Sequence, residues 1–429
     1  MRRYWAGMAM ATTLVVSGCG LGGTEQEAAA PGPSATGEVK GEVKGKISLQ
    51  TWALKPKFTG YMQGVIDAFQ KKYPGVQVEW LDQPGDGYSD KVLSQAAGGT
   101  LPDVTNLPPD FALPLVKQGM LLDLSQADQK LAGEYVPGGV DAYRYAGFNG
   151  VYGYPWYLNT DVNYWNSELL TANGLDPDKP PADLDELIAQ AKTVKEKSRG
   201  KVYLMSRRPE LGDLTNIGVK IMSDDGSRFT FNTPEAAALL DRYRDAFKQG
   251  LLPRGVLTDT YAGNAKLFTE GTVAWTTAGG NFITSLAADN PSLAPKVVPS
   301  VAMGTPPLYV QGLSVSKRTA NAPAAIALAR WVTSAENQAA FAHLVNIFPS
   351  TKASAGDPFF SKSDGTPSGD AKVIAFTSLA KAEMLQPVQV TEAMNKFVRQ
   401  QFALAISGDT TSKEALDAAV AKCDELLKG

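Results

Sequence analysis

Lys46-Ile47-Ser48-Leu49-Gln50-Thr51-Trp52 opens the stretch that decides the fold, and Gly75-Val76-Gln77-Val78-Glu79-Trp80 closes it. In the first segment Ile47, Leu49 and Thr51 alternate with polar neighbours, the period-2 pattern of a strand with one buried face. Between the two segments Met62, Val65, Ile66, Phe69 and Tyr73 recur at helical spacing, and Pro74-Gly75 stops the helix. Val76, Val78 and Trp80 then alternate again. Strand, helix and strand within about 35 residues make a right-handed parallel βαβ unit, which predicts an α/β fold.

The same alternation continues outward. Val92, Leu93 and Ala96 mark a second helix, and Leu101-Pro102-Asp103-Val104 leads into a short strand. Asp183 with Glu186 resembles a capping box ahead of Leu184, Leu187, Ile188, Ala191 and Val194. Thr233-Pro234 opens a helix bearing Leu239, Leu240, Tyr243 and Phe247, closed by Gly250. Strands are expected at 273–276, 296–301 and 312–315. Helices are expected after Pro323 and near 391–406 and 412–427.

The chain has 429 residues, longer than one usual domain, so two lobes are expected. With a net charge of -3 it gives no reason to expect a nucleic-acid partner. Its one histidine, His343, and two cysteines, Cys19 and Cys423, exclude a Cys/His zinc site and a histidine triad supported by a second histidine. No metal or cofactor is therefore expected. His343 falls at the end of a helical pattern, where a structural role suits it.

Arg2 and Arg3 precede an apolar run over 6–16, followed by Ser17-Gly18-Cys19. A charged start, a short apolar core and small residues read as a secretory signal over 1–18. Cysteine after Ser-Gly resembles a bacterial lipobox, which implies cleavage before Cys19 and lipid on its thiol. Residues 20–45 lack apolar periodicity and carry the tandem Gly37-Glu38-Val39-Lys40, Gly41-Glu42-Val43-Lys44. A flexible coil of that length spans roughly 25–30 Å, enough to hold a globular body off a membrane. With Cys19 lipidated, Cys423 has no intrachain partner, and it falls on the apolar stripe Leu416, Ala419, Val420, Cys423, Leu427.

Residues 151–166 hold six aromatics, Tyr152, Tyr154, Trp156, Tyr157, Tyr164 and Trp165, interleaved with Asn159, Asp161, Asn163 and Asn166. Rings with polar tips suit a wet cleft, though a strand-turn-strand filling the core has the same composition. Pro155 removes a donor and argues against a central strand there.

The order of several motifs resembles the bacterial extracellular solute-binding proteins of family 1, the maltose-binding-protein-like sugar-binding lipoproteins of ABC importers. The pieces are Thr51-Trp52; Gly99-Thr100-Leu101-Pro102-Asp103-Val104; Gly153-Tyr154-Pro155 with Tyr164-Trp165-Asn166; and Leu175-Asp176 leading to 180–187. Then come Phe268-Thr269-Glu270-Gly271-Thr272-Val273-Ala274-Trp275 and Ala322-Pro323-Ala324-Ala325. The resemblance spans residues 47–427.

It implies a two-lobed, type II periplasmic-binding-protein-like fold with ligand held in the cleft. Lobe 1 would comprise 46–155 and 305–346, and lobe 2 would comprise 156–304 and 347–429. The ligand-facing loops then map onto Trp52, Lys55, Tyr88, Asn106 and Asp110, with Trp156, Tyr157 and Asn159 on the first crossing. In lobe 2 they map onto Gly279, Gly280, Asn281 and Phe282, with Phe348 on the third crossing and Arg207, Arg208 and Gln386 as added contributors to the cleft. Leu54 follows the first strand beside them, and Asp103 supports its loop. Family members often carry Trp just after the glycines, where this chain has Asn281 and Phe282. Tyr164, Trp165 and Trp275 are expected in the core. The partners implied are a sugar or another small solute, ABC permease subunits and a membrane reached through lipid, around a monomer.

An enzyme is the main rival. Asp103, Asp110 and Asp161 could serve a glycosidase, but no spacing marks a pair, and neither a nucleophile elbow nor a phosphate loop is present. A lipid-anchored adhesin is the other rival, to be separated by solute binding.

Overall fold

The computed structural model describes residues 41–258, 261–345 and 347–428. The signal, Cys19 and nearly all of the tether lie outside the described residues. Strand β1 (Gly45–Trp52) pairs in parallel with β2 (Val76–Gln83), from Gly45 opposite Val76 to Trp52 opposite Gln83. Helix α1 (Thr59–Lys72) connects them and buries Met62, Val65, Ile66 and Phe69, the residues its periodicity marks. Helix α2 (Tyr88–Ala97) leads to β3 (Val104–Leu107), which pairs in parallel with β1. Pro108-Pro109 then opens α3 (Pro109–Lys117).

Strand β4 (Tyr154–Asn159) joins the same sheet, and β5 (Asp161–Asn166) starts a different one, so the chain first crosses at Thr160. The expected boundary after residue 155 falls inside β4. The ladder with its neighbour shifts register between Pro155 and Tyr157, and this irregularity lets the strand pass the proline. The Pro155 carbonyl is taken up by Ser350 Oγ at 2.7 Å and Gln338 Nε2 at 3.1 Å.

The second lobe follows with α4 (Leu184–Ser198), α5 (Pro234–Lys248), β6 (Trp275–Gly279), α6 (Phe282–Asp289) and β7 (Val297–Ser300). The chain returns over 301–308 to β8 (Tyr309–Val315), then runs through α7 (Ala322–Val332), α8 (Ala335–Val345) and β9 (Phe348–Pro349). Because Phe348 pairs with β4, the last crossing also lies beyond the expected position at 346/347. Helices α9 (Pro367–Ser378), α10 (Glu392–Ser407) and α11 (Ser412–Leu427) finish the second lobe.

The sheet orders are β2-β1-β3-β8-β4-β9 and β6-β5-β7. All nine residues from Ala324 to Val332 in α7 are buried, because the helix packs under β1, β3 and β8. Its Arg330 is satisfied by Asp128 and by both oxygens of Glu134, at 2.8 and 2.7 Å. Cys423 is fully buried among the apolar residues of the second lobe.

Candidate functional site

A cavity of about 410 Å³ opens where the two sheets meet. Its floor belongs to β5 and β6. Trp275 stacks on Trp165 with centroids 5.8 Å apart and planes 20° apart. The Trp275 indole donates to Asn163 Oδ1 at 2.9 Å, and Asn163 Nδ2 donates to the Val301 carbonyl at 2.6 Å. The Trp165 indole donates to Ser300 Oγ at 2.8 Å. These bonds fix the aromatic floor from both neighbouring strands before any ligand arrives.

A charged wall stands beside it. Arg207 places its guanidinium 5.9 Å from the Trp275 ring centre and forks onto Asp213 at 2.6 and 2.9 Å. Asp213 also accepts the Glu210 amide at 2.7 Å, and Arg208 reaches Glu210 at 2.6 Å. Burial works to raise the Asp213 carboxyl, but Arg207 prevails and holds it below the usual carboxylate range. Burial keeps Glu210 raised despite its arginine neighbours.

The first lobe supplies Tyr309 and Asp110. Tyr309, at the start of β8, donates its hydroxyl to Asp161 Oδ2 at 3.0 Å, joining the strands on either side of the crossings. Asp110 sits in the first turn of α3. Its carboxyl meets solvent at the cavity mouth, yet protein surrounds it, and this burial pushes it up to about 6; Glu392 across the cleft adds to the rise. Met303, Leu308, Leu385, Pro387 and Val390 complete an apolar lining. Of the five large apolar side chains exposed among the described residues, Ile217, Val301, Tyr309 and Met384 lie on segments that form the cavity walls. Such a gathering marks a binding rim.

The profile described as bacterial extracellular solute-binding protein matches residues 64–367. The chain belongs to that family. Several proteins are similar to this solute-binding protein. The galactooligosaccharide-binding protein of Bacillus subtilis is 24% identical over 351 residues, covering 78% of this chain and 80% of its own. A candidate oligosaccharide periplasmic-binding protein from Synechococcus sp. MITs9220 superposes with a TM-score of 0.79 at 26% identity, covering 89% of this chain and 99% of its own. The acarbose-binding GacH receptor of Streptomyces glaucescens gives a TM-score of 0.73 at 20% identity, covering 90% of this chain and 99% of its own. Binding proteins of Brucella match over 243 residues, so the chain spans 56% of the length of those curated relatives. The family is extracellular, so this solute-binding protein works outside the cytoplasm. Among the described residues no helix is long and apolar enough to cross a membrane.

Of the residues singled out in the sequence, Asp110, Asp161, Asn163, Arg207 and Gln386 line the cavity of this solute-binding protein. Others support it. Trp52 is half-buried and stacks on Tyr88 at 5.3 Å and 10°, while Tyr88 is buried with its hydroxyl on the Asn106 carbonyl at 2.9 Å. Asn106 ties β3 to β8 through Gln311 Oε1 at 3.1 Å and the Gly312 carbonyl at 3.0 Å. Lys55 lies over the Trp80 ring at 4.2 Å, and Leu54 is buried. Asp103 holds its loop to Ser48, accepting from the amide and the hydroxyl at 2.8 Å each.

Trp156 does not face the cleft: it is fully buried, stacked on Phe341 at 5.5 Å and 20°. Tyr157 meets the same phenylalanine edge-on. Asn159, Gly279 and Gly280 pack the hinge instead of lining the cavity. A Cβ on Gly279 would lie 2.6 Å from Asn159 Nδ2, and one on Gly280 would lie 2.8 Å from Ala375 Cβ. Asn281 precedes α6, and Phe282 packs on Tyr164 at 5.0 Å. Phe348 is core, against Phe360 and Phe376. Trp275 is buried as expected, yet it also lines the cavity. Tyr309, Asp213 and Arg399 escaped notice in the sequence. The one available signal was the charge density of Arg207-Arg208-Pro209-Glu210 after the apolar Leu204-Met205.

Proposed function

We propose that this protein captures a sugar or oligosaccharide in the cavity between its lobes, closes on it, and delivers it to the permease of an ABC importer. The observation that carries the reading is the composition of the cavity wall. A fixed aromatic floor from one lobe faces a tyrosine and a carboxylate from the other, at the strand crossings about which the lobes would bend. Aromatic faces suit sugar rings, and carboxylates and amides suit hydroxyls. Relatives named for galactooligosaccharide and acarbose binding support the same solute class. Closure requires that ligand bind the closed form better than the open one.

In this reading Cys19 carries the lipid anchor, residues 20–45 are the tether, and the mature protein acts as a monomer without catalysis. Mass spectrometry of the membrane-bound form reads the state of Cys19. Thermal melting across a panel of mono- and oligosaccharides and polyols tests solute capture. Ligand at a hundred times its Kd stabilises by about 2.7 kcal/mol, a readable shift. No shift with any member refutes the reading, and turnover of a labelled oligosaccharide would return the enzyme as the better one.

A further inference from the structure

The charge of the cavity says more about its solute than the fold does. Asp110, Asp161, Glu210 and Asp213 line it, against Arg207 and Arg399. Both guanidinium groups are already engaged, Arg207 by Asp213 and Arg399 by Glu392. Glu210 is paired with Arg208, and Asp161 accepts from Tyr309. Asp110 differs from all of these. Among the described residues no cation pairs with it, and across the cleft the Glu392 carboxylate, itself paired with Arg399, acts on it unfavourably. Its other close ionisable neighbours, Tyr143 and Tyr145, are buried phenols whose pKa burial raises well above the ordinary value, so they bring no positive charge.

An anionic solute entering this cavity would meet an excess of carboxylates and no cation left to neutralise it, inside walls that strengthen the repulsion. A neutral sugar would leave the Asp110 carboxylate supported only by the backbone amides at the start of α3. A cationic group would add to that support, because an opposite charge within about 4–6 Å favours the ionised carboxylate. The lining also offers hydroxyl-binding chemistry next to that charge. Thr277 lies on the cavity wall with its hydroxyl enclosed and unpartnered, and Gln386 stands on the opposite segment.

We propose that the solute is a saccharide bearing a protonated amino group, and that Asp110 is the counter-ion of that ammonium. The proposal rests on the solute-capture reading above and narrows its substrate class. A saccharide carrying phosphate or uronate is disfavoured on the same grounds. In the bound state the ammonium stands at the mouth of the cavity near α3, while the sugar rings lie inward over Trp275 and along the apolar lining.

The test is titration calorimetry at pH 7 with matched sets of gluco- and galacto-configured mono- to trisaccharides. Each set contains the free amine, its N-acetylated form, the parent neutral sugar and the uronate. Amine-bearing members should bind at least tenfold more tightly than their acetylated and neutral counterparts, and uronates should be weakest. Raising sodium chloride to molar concentration should shrink the amine preference, since screening acts on the ion pair and not on the ring contacts. Asp110→Asn, confirmed folded by circular dichroism, should bring the amine-to-acetyl ratio below threefold. A neutral or acetylated sugar binding as tightly as its amine overturns the proposal while leaving solute capture intact. So does an amine preference that survives Asp110→Asn unchanged. Failure of every saccharide to bind overturns the solute-capture reading itself, and the proposal falls with it.

Discussion

Replacing Asp213 with alanine probes the charged wall of the cavity most directly. Its carboxylate receives both Arg207 nitrogens, at 2.6 and 2.9 Å, and the Glu210 amide at 2.7 Å. Removing one partner of a buried ion pair costs about 3–5 kcal/mol, because the remaining charge is left uncompensated. The two side chains keep 18% and 24% of their surface exposed. Water therefore screens part of the loss, and about 2 kcal/mol is expected. For a lobe of this size that lowers the melting midpoint by about 4–8 °C. Arg207, released from its fork, should also leave the face of Trp275, and solute affinity should fall about tenfold, or ~1.4 kcal/mol. The sharper arm is the double variant Arg207→Ala/Asp213→Ala. It removes both charges and should be more stable than Asp213→Ala alone, although it has lost more atoms. Urea unfolding of the wild type, Asp213→Ala, Arg207→Ala and the double variant measures this coupling. If the double variant proves the less stable, or if Asp213→Ala melts with the wild type, the bidentate pair does not carry the energy assigned to it.

Three further outcomes follow from the same geometry. Trp156→Ala should destabilise the protein by about 3–5 kcal/mol through the void left against Phe341, while the folded fraction keeps its solute affinity; a selective affinity loss in a fully stable variant would return Trp156 to the site. Tyr309→Phe removes the bond to Asp161 that joins the lobes, worth about 1 kcal/mol after screening of a partly exposed ring. Small-angle scattering of the unliganded variant should show a wider lobe separation than the wild type, and identical profiles would deny the bond that role. The Asp110 carboxyl is raised from 3.8 to about 6. A raised carboxyl is favoured protonated in the folded state, so its contribution to stability is full below pH 3.8 and is lost as pH rises through about 6. Asp110→Asn should therefore flatten the stability profile between those values, and a variant whose profile keeps the wild-type slope would show that another group sets it.

Much of the fold was legible because its determinants are local. Met62, Val65, Ile66 and Phe69 announce α1 by spacing alone, and the alternation of β1 and β2 survives in the parallel register Gly45 to Val76. Helices α10 and α11 lie where the sequence placed them, near 391–406 and 412–427, and Thr411 with Glu414 forms a reciprocal cap at the start of α11. The hinge was less legible. Pro155 argued for a strand end, whereas a register shift and the distant side chains of Gln338 and Ser350 carry the strand past it. Nothing within a few residues of Pro155 announces partners nearly two hundred positions away.

The site divides along the same line. Asp110 was reachable because it follows the Pro102-Asp103 turn, whose place the family resemblance fixes. Trp156 was not, since its burial depends on Phe341, contributed by a helix of the other chain segment. A tryptophan on a crossing strand reads the same whether it faces a cleft or a phenylalanine. Trp275 shows the converse. Its strand context argued for core, and it is buried, but one face of a buried ring can still be the wall of a cavity when the layer above it is missing. The layer missing above Trp275 is the one a solute would supply. Its edges are already set by Arg207, held in place by Asp213, and by Tyr309, held in place by Asp161. Preformed edges of this kind reduce the ordering cost of binding, so affinity should depend more on the groups that hold Arg207 and Tyr309 than on the number of residues touching the ligand.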